Sequence, residues 1–258
     1  MKQPQNKGLL YEPIVHDKDG VFGSAHSFAG KTIISADGQW EDVEHERQSS
    51  DSFDTFSCVS FGLNNQEELY MKNRYGIDEN HSDRFMAKVS DTQPNGNTPQ
   101  KVYEARRKKG FVLEVEWPWT TEKSWTEYMS DIPQQLYSLA VGRAAKWRFW
   151  HDYVQPDPAS IREALRYSPV CVGVALMPDE EGRYSRPDDW KDTHWATIRG
   201  DYENGDWKLK DTYPPFEKRV KANTQFYVAK VIEIDNQVVS ESLFEKFLLF
   251  LKKILGYA

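Results

Sequence analysis

Cys58, His194 and Asp211 lie in three short stretches, far apart in the chain, that together carry the parts of one reaction centre. The first reads Phe56-Ser57-Cys58-Val59-Ser60-Phe61, the second Thr193-His194-Trp195-Ala196-Thr197-Ile198, and the third Trp207-Lys208-Leu209-Lys210-Asp211-Thr212-Tyr213. In this order a thiol, an imidazole and a carboxylate can work as a unit. The thiolate attacks an acyl carbon, the imidazole moves the proton, and the carboxylate holds the ring in one tautomer. Since 136 residues separate Cys58 from His194 and 17 more lead to Asp211, only a tertiary fold can assemble the three.

The elements that would position them are legible as pattern. From Ser57 the apolar spacing through Val59, Gly62, Leu63, Leu69 and Tyr70 predicts a helix, with Asp54 and Thr55 placed to cap it. A helix start favours a thiolate, as does a neighbouring imidazolium. Residues 90–97 read as a polar loop, and 99–109 as a helix that stops at Gly110. The stripe Leu136, Leu139, Ala140, Ala144, Trp147 after Pro133 predicts one long helix over 132–154, and a short one is expected over 160–166. After Pro169 the texture turns to strands: an apolar run at 170–176, a hairpin whose arms 195–200 and 207–211 flank Asn204-Gly205, and an alternating run at 225–234. Residues 1–50 read as short strands and turns. Helices first and strands second make an α+β protein of two lobes. The segments are 1–50, a helical lobe 51–166, a strand lobe 167–235, and an amphipathic C-terminal helix in 236–258. Adjacent antiparallel strands can set the first residue of one beside the last of the next, so the hairpin predicts that His194 and Asp211 are neighbours.

Other chemistry is weaker. Cys171 sits inside an apolar run and reads as core. His16, His26, His45, His81 and His151 show no metal-ligand spacing, and Asp17-Lys18-Asp19-Gly20 lacks the remaining ligands of a calcium loop. Two cysteines make no disulfide framework, and a Cys58–Cys171 bridge would consume the nucleophile, so reducing surroundings are expected. The net charge of −7, with both signs mixed along the chain, argues against a nucleic-acid partner. No signal peptide and no apolar run of ~18 residues is present, so a cytoplasmic protein is expected. Residues 243–255, from Leu243 to Leu255 behind a capping box at Ser242, are strongly apolar; they either pack on their own domain or meet a protein partner or membrane surface.

Taken with their order, these motifs resemble the papain-like cysteine peptidases. The Cys58 stretch resembles that family's nucleophile helix. His194 through Tyr202 resembles its His-Ala-Val stretch running on to Gly-Tyr, and Trp207 through Tyr213 its strand ending in Asn-Ser-Trp, here Asp-Thr-Tyr. Tyr167-Ser168-Pro169-Val170 resembles the Gly-Pro-Val opening of the strand lobe. The likeness covers about residues 45–235. It implies a papain-like two-lobed fold, a helical lobe carrying the cysteine and an antiparallel lobe carrying histidine and aspartate. It also implies hydrolysis of a peptide or protein substrate without metal or organic cofactor. Departures are visible. Val59 stands where a tryptophan is usual, and Trp195 follows the histidine in place of a small residue and is expected to narrow the cleft. The oxyanion glutamine is expected six residues before the cysteine, where Ser52 stands; Gln48, ten residues upstream, becomes the candidate, delivered by slack in 49–53. The 57 residues before Cys58 are too few for a long inhibitory pro-region, which suits a microbial or viral protein better than a lysosomal one. Two rival readings remain: another Cys-His-Asp acyl-transfer enzyme, transglutaminase-like or a peptidoglycan amidase, and a catalytically silent fold used in an assembly such as a virion.

Overall fold

The computed structural model of the chain describes residues 7–14, 20–25, 27, 29–50, 53–119 and 124–237. The turn at 17–19, His16, His26, Ser52 and the apolar segment 243–255 lie outside the described residues. One eight-stranded sheet, in the order β1-β8-β2-β5-β6-β7-β4-β3, organises the protein, with the short strands β3 (Met177–Pro178) and β4 (Tyr184–Ser185) at one edge. Its centre is β2 (Val170–Val174), buried along its whole length, between β8 (Ala229–Asn236) and β5 (His194–Asp201), both antiparallel to it. Such a continuous apolar run suits a strand covered on both faces. The Asn204-Gly205 turn joins β5 to β6 (Trp207–Lys210), and β6 continues into β7 (Glu217–Val220).

Helix α1 (Cys58–Tyr75) packs across β5, β2 and β8. It is buried from Cys58 to Met71 although it carries Asn64, Gln66, Glu67 and Glu68. Each of these finds partners. Asn64 donates to the His81 carbonyl and to Asp83, and Gln66 donates to the carbonyls of Pro169 and Lys230 and accepts from Tyr103. Glu67 pairs with buried Arg106, and Glu68 accepts from the His81 N–H. Buried polar groups satisfied in this way specify a single packing of helix on sheet. Ahead of α2 (Asp83–Val89) the Ser82 side chain caps, and ahead of α3 (Pro99–Lys109) Thr98 does, with Gly110 closing α3. No helix among the described residues is long and apolar enough to cross a membrane.

Two expectations are corrected. The single helix over 132–154 is instead helix Gln134–Lys146 followed at once by β1 (Trp147–Val154), the edge strand paired with β8 from Trp147↔Asn236 to Val154↔Ala229. Trp-Arg-Phe-Trp-His-Asp-Tyr-Val is aromatic and ends in a β-branched residue, a composition that fits a half-buried pleat. The helical stripe was partly illusory, since Leu139 is exposed and only Leu136 and Ala140 of the helix are buried. In the N-terminal part, the described residues form turns and isolated bridges, such as Leu9↔Asn97, Val21↔Tyr153 and Ser49↔Asp54, rather than strands.

The segment entering the site is tied down by charge. Lys210, nearly fully buried, donates to Asp42 and to the carbonyls of Val43 and Glu44, and lies 3.0 Å from His45 Nδ1. Beyond it, Glu46, Glu68, Asp83 and Glu114 crowd together, and burial raises each carboxyl; Glu114 is pushed up to about 8. A folded-state value raised above the unfolded 4.5 adds stability that is fully present below 4.5 and is lost as pH rises through 8. His81 and His151, held down to about 4 by burial, have the opposite sign but act only below 6.5. Thermal unfolding followed by circular dichroism should therefore show Tm falling between pH 6.5 and 8, and Glu114→Gln should flatten that slope. An unchanged slope in the variant would remove Glu114 from the balance.

Candidate active site

Cys58 is the first residue of α1, and the chain reaches it through a strained turn: Phe56 has φ 49°, unusual for a side chain of its size. The Asp54 carboxylate accepts from the Phe56 N–H and Thr55 Oγ1 from the Ser57 N–H, so these side chains shape the turn. They do not cap the helix, as was expected of them; Ser57 is the N-cap and makes no side-chain capping bond. Amide groups at the helix start are therefore left for the site. The Cys58 side chain is fully buried. Burial raises its thiol above the ordinary range, the charges of Asp54 and Asp211 add to this, and the N–H groups of Trp195 and Val59 oppose it.

His194 opens β5 and Asp211 follows the last residue of β6, and the β5–β6 pairing, with Thr197 opposite Lys210, brings Asp211 to the His194 end of β5. Nε2 of His194 lies 2.8 Å from Asp211 Oδ1. Nδ1 of His194 is buried and makes no hydrogen bond to the described residues. The ring packs edge-on against Tyr213, centroids 5.1 Å apart. Asp211 Oδ1 also accepts from the Tyr213 N–H at 2.9 Å, and Oδ2 lies 2.9 Å from Lys218 Nζ. Burial works against the Asp211 carboxylate, yet the attraction and hydrogen bonds of His194 and Lys218 outweigh it and hold it below the usual carboxylate range.

Gln48 reaches the same place. Residues 48–50 pair antiparallel with 53–55, the Thr55 N–H on the Gln48 carbonyl at 3.2 Å and Ser50 N–H on Phe53 O at 2.7 Å, which brings Gln48 back toward the start of α1. Its Oε1 accepts from Thr212 Oγ1 at 2.7 Å, while Nε2 donates to Tyr213 Oη, Asp54 Oδ1 and the Lys7 carbonyl. Trp195 does not narrow the cleft. Side chains alternate along a strand, so with His194 facing the site Trp195 points under α1, where it is fully buried against Gly62. Cys171 is core: its Sγ donates to the Gly62 carbonyl at 3.1 Å, and burial pushes its thiol up to about 12.

What the sequence did not signal is that the chain's own residues 7–10 lie over this arrangement. The Lys7 N–H donates to the carbonyl of Thr193, which precedes His194, at 2.8 Å. Asn97 N–H donates to Gly8 O at 2.9 Å and Leu10 N–H to Asn97 O at 2.8 Å, so the segment bridges the 93–97 loop and the start of β5. Gly8, at φ 114°, is pressed on the Phe56 carbonyl, which a Cβ would approach to 2.0 Å. Beside His194 a pocket of about 280 Å³ is walled by Val174, Ala175, Leu176, Tyr184 and Pro214, with Lys7 at its rim. Among the described residues no three or more His, Cys, Asp or Glu side chains are grouped to hold a metal ion.

No family model matches the sequence, and no curated protein does. Solved structures do resemble it. Xylellain, a cysteine protease from Xylella fastidiosa, superposes with a TM-score of 0.64 over 90% of this chain and 98% of its own, at 14% identity. Procathepsin L2 proteinase from the larval midgut of Tenebrio molitor gives 0.59 over 88% and 78%, at 17% identity. The cysteine protease Amb a 11, a ragweed pollen allergen, in its proform, gives 0.54 over 81% and 69%, at 15% identity. The chain has the α+β fold of papain-like cysteine peptidases.

Because a valine at position 8 would need both a left-handed backbone and space held by Phe56, Gly8→Val should dislodge the segment. Strain of ~1–3 kcal/mol implies about tenfold or faster alkylation of Cys58 by iodoacetamide, with Cys171 unmodified. Equal rates in wild type and variant would show that residues 7–10 do not guard the thiol.

Proposed function

We propose that this chain is a thiol peptidase, latent as folded, that hydrolyses peptide or related amide bonds through an acyl-enzyme on Cys58. The observation that carries this reading is the orientation of His194: Nε2 is engaged by Asp211 while the buried Nδ1 has no hydrogen-bond partner among the described residues, on a ring at the start of the strand that packs beside the Cys58 helix. In the first half-reaction Nδ1 takes the thiol proton, Sγ bonds to the carbonyl carbon, and the proton passes to the departing amine as the C–N bond breaks. In the second, His194 takes a proton from water, whose oxygen displaces sulfur; the products are a carboxylic acid and the restored thiol. The backbone N–H of Cys58 and the Gln48 amide are the oxyanion donors. Gln48 Nε2 already holds a carbonyl oxygen, that of Lys7. The covering segment thus presents a peptide carbonyl to the donor intended for substrate.

Two of the similar structures are proforms, procathepsin L2 and Amb a 11, which supports a closed resting state here. The apolar wall beside His194 favours an apolar substrate side chain next to the cleaved bond. A second reading, a silent fold, draws support from the buried, protonated thiol. The transglutaminase-like and amidase readings have no such observation behind them.

Hydrolysis of a mixed peptide pool by Gly8→Val, with Cys58→Ala in the same background as control, separates the two. Activity abolished by Cys58→Ala supports the peptidase. A Cys58 that alkylates readily in Gly8→Val, with no peptide cleaved, supports the silent fold. In an active protein, Gln48→Ala should lower kcat by ~10²–10³ while leaving Cys58 alkylation largely intact; an unchanged kcat would assign the oxyanion to another donor.

A further inference from the structure

Lys218 stands outside the three motifs. It sits on β7, where it pairs with Leu209 of β6, and its side chain turns inward until only 8% of it is exposed. An ammonium has three protons to donate, and three acceptors surround this one: Asp211 Oδ2 at 2.9 Å, the Tyr213 carbonyl at 2.7 Å and the Pro215 carbonyl at 2.8 Å. Asp211 is in turn filled on both oxygens, Oδ1 by His194 and the Tyr213 N–H, Oδ2 by Lys218. Burying a lysine this deeply is costly unless its charge is matched.

We propose that Lys218 is a positioning residue of the site, which fixes the Asp211 carboxylate toward His194 and cancels its charge, so that an aspartate can serve where a neutral side chain would otherwise be needed. This rests on the peptidase reading above. The electrostatic argument is short. An uncompensated carboxylate repels the thiolate and raises its affinity for a proton, even while it attracts the imidazolium. Asp211 already acts on Cys58 in that direction. With Lys218 at 2.9 Å, Cys58 and His194 face a salt bridge of zero net charge, while the hydrogen bond that orients the imidazole is kept. The other titratable groups around this point are Asp54 ahead of α1, Lys7 from the covering segment, Tyr213 in the turn, and Tyr184 of β4 (Tyr184–Ser185), whose ring lies 5.6 Å from Lys218 Nζ. Of the two lysines, Lys7 is 4.0 Å from Asp54 and belongs to a segment that substrate would displace, whereas Lys218 is part of the sheet.

The alternative is that Lys218 only staples the turn through the Tyr213 and Pro215 carbonyls. The second-order rate of Cys58 alkylation by iodoacetamide, mapped by mass spectrometry from about pH 4 to about pH 10 in the full-length protein, distinguishes them. The variants are Lys218→Met, Lys218→Arg, Asp211→Asn and the Asp211→Asn/Lys218→Met double. Lys218→Met should move the rise in rate to higher pH by about one unit, tenfold at a fixed pH on the rising limb. Lys218→Arg, which keeps the charge, should restore the wild-type profile. In the Asp211→Asn background, adding Lys218→Met should change the rate less than about threefold, because the partner through which Lys218 acts is gone. Equal losses in both backgrounds with no displacement along the pH axis would leave the turn-staple alone and overturn the proposal. A wild-type profile identical to that of a free cysteine, and insensitive to His194→Ala, would instead overturn the reading of the whole site. Loss of Lys218's role alone leaves the His194 dependence in place, so the two failures are distinguishable.

Discussion

A glycine sets the spacing on which the site depends. A Cβ on Gly62 would stand 2.6 Å from Cδ1 of Trp195, so α1 can lie on β5 only with no side chain at that point. The Gly62 carbonyl also receives Cys171 Sγ and Thr197 Oγ1, which binds the helix to two strands at once. Cys58 lies about one helical turn before Gly62, and His194 one residue before Trp195, so the same contact fixes both reacting groups relative to each other. The tryptophan that departs from the usual small residue and the glycine one turn into the helix are halves of a single arrangement. On the peptidase reading, a displacement of ~1 Å here would be felt in turnover, since reacting atoms must lie within a narrow range.

What could be read in the sequence and what could not divide along physical lines. The hairpin through Asn204-Gly205 is encoded locally, by a turn dipeptide between alternating runs, and so the proximity of His194 to Asp211 is legible in the residues themselves. Helix α1 is legible through Val59, Gly62, Leu63, Leu69 and Tyr70 after the start at Ser57, although buried Asn64, Gln66, Glu67 and Glu68 interrupt the apolar stripe. The strand Trp147–Val154 is not: Trp147 extends the helical stripe of the preceding helix by one more step, and only pairing with the distant strand Ala229–Asn236 turns it into a strand. Long-range pairing overrides local pattern in this way wherever period is ambiguous.

Within the site the same division holds. Gln48 is singled out in the sequence by its chemistry alone; its proximity to Asp54 and Tyr213 depends on the pairing of 48–50 with 53–55, which no local pattern marks. Lys218 lies in Glu-Lys-Arg-Val, a run that reads as a solvated strand; the pleat turns Lys218 inward and leaves Arg219 exposed. Residues 7–10 carry only one oddity, a glycine, and nothing local tells that its left-handed conformation is needed to pass Phe56.

Closure and charge are one problem in this molecule. With residues 7–10 in place Cys58 is fully buried, and a buried thiol keeps its proton because the thiolate would lose hydration without gain. Two carboxylates near it, Asp54 and Asp211, push the same way; only backbone N–H groups oppose them. The covering segment is itself part of that balance. Lys7 places its ammonium 4.7 Å from the Tyr213 ring centroid and 4.0 Å from Asp54, so it sets a cation beside one of the two carboxylates. Without it Asp54 would lose that cation and retain Tyr213 and Gln48 as donors. Asp211 loses nothing, since its counter-ion comes from the sheet. The two carboxylates are therefore unequal by construction. One is paired with the N-terminal segment, and the other, which touches the imidazole, with a strand of the sheet; on the peptidase reading, in which substrate displaces the segment, the group beside His194 keeps its counter-ion throughout.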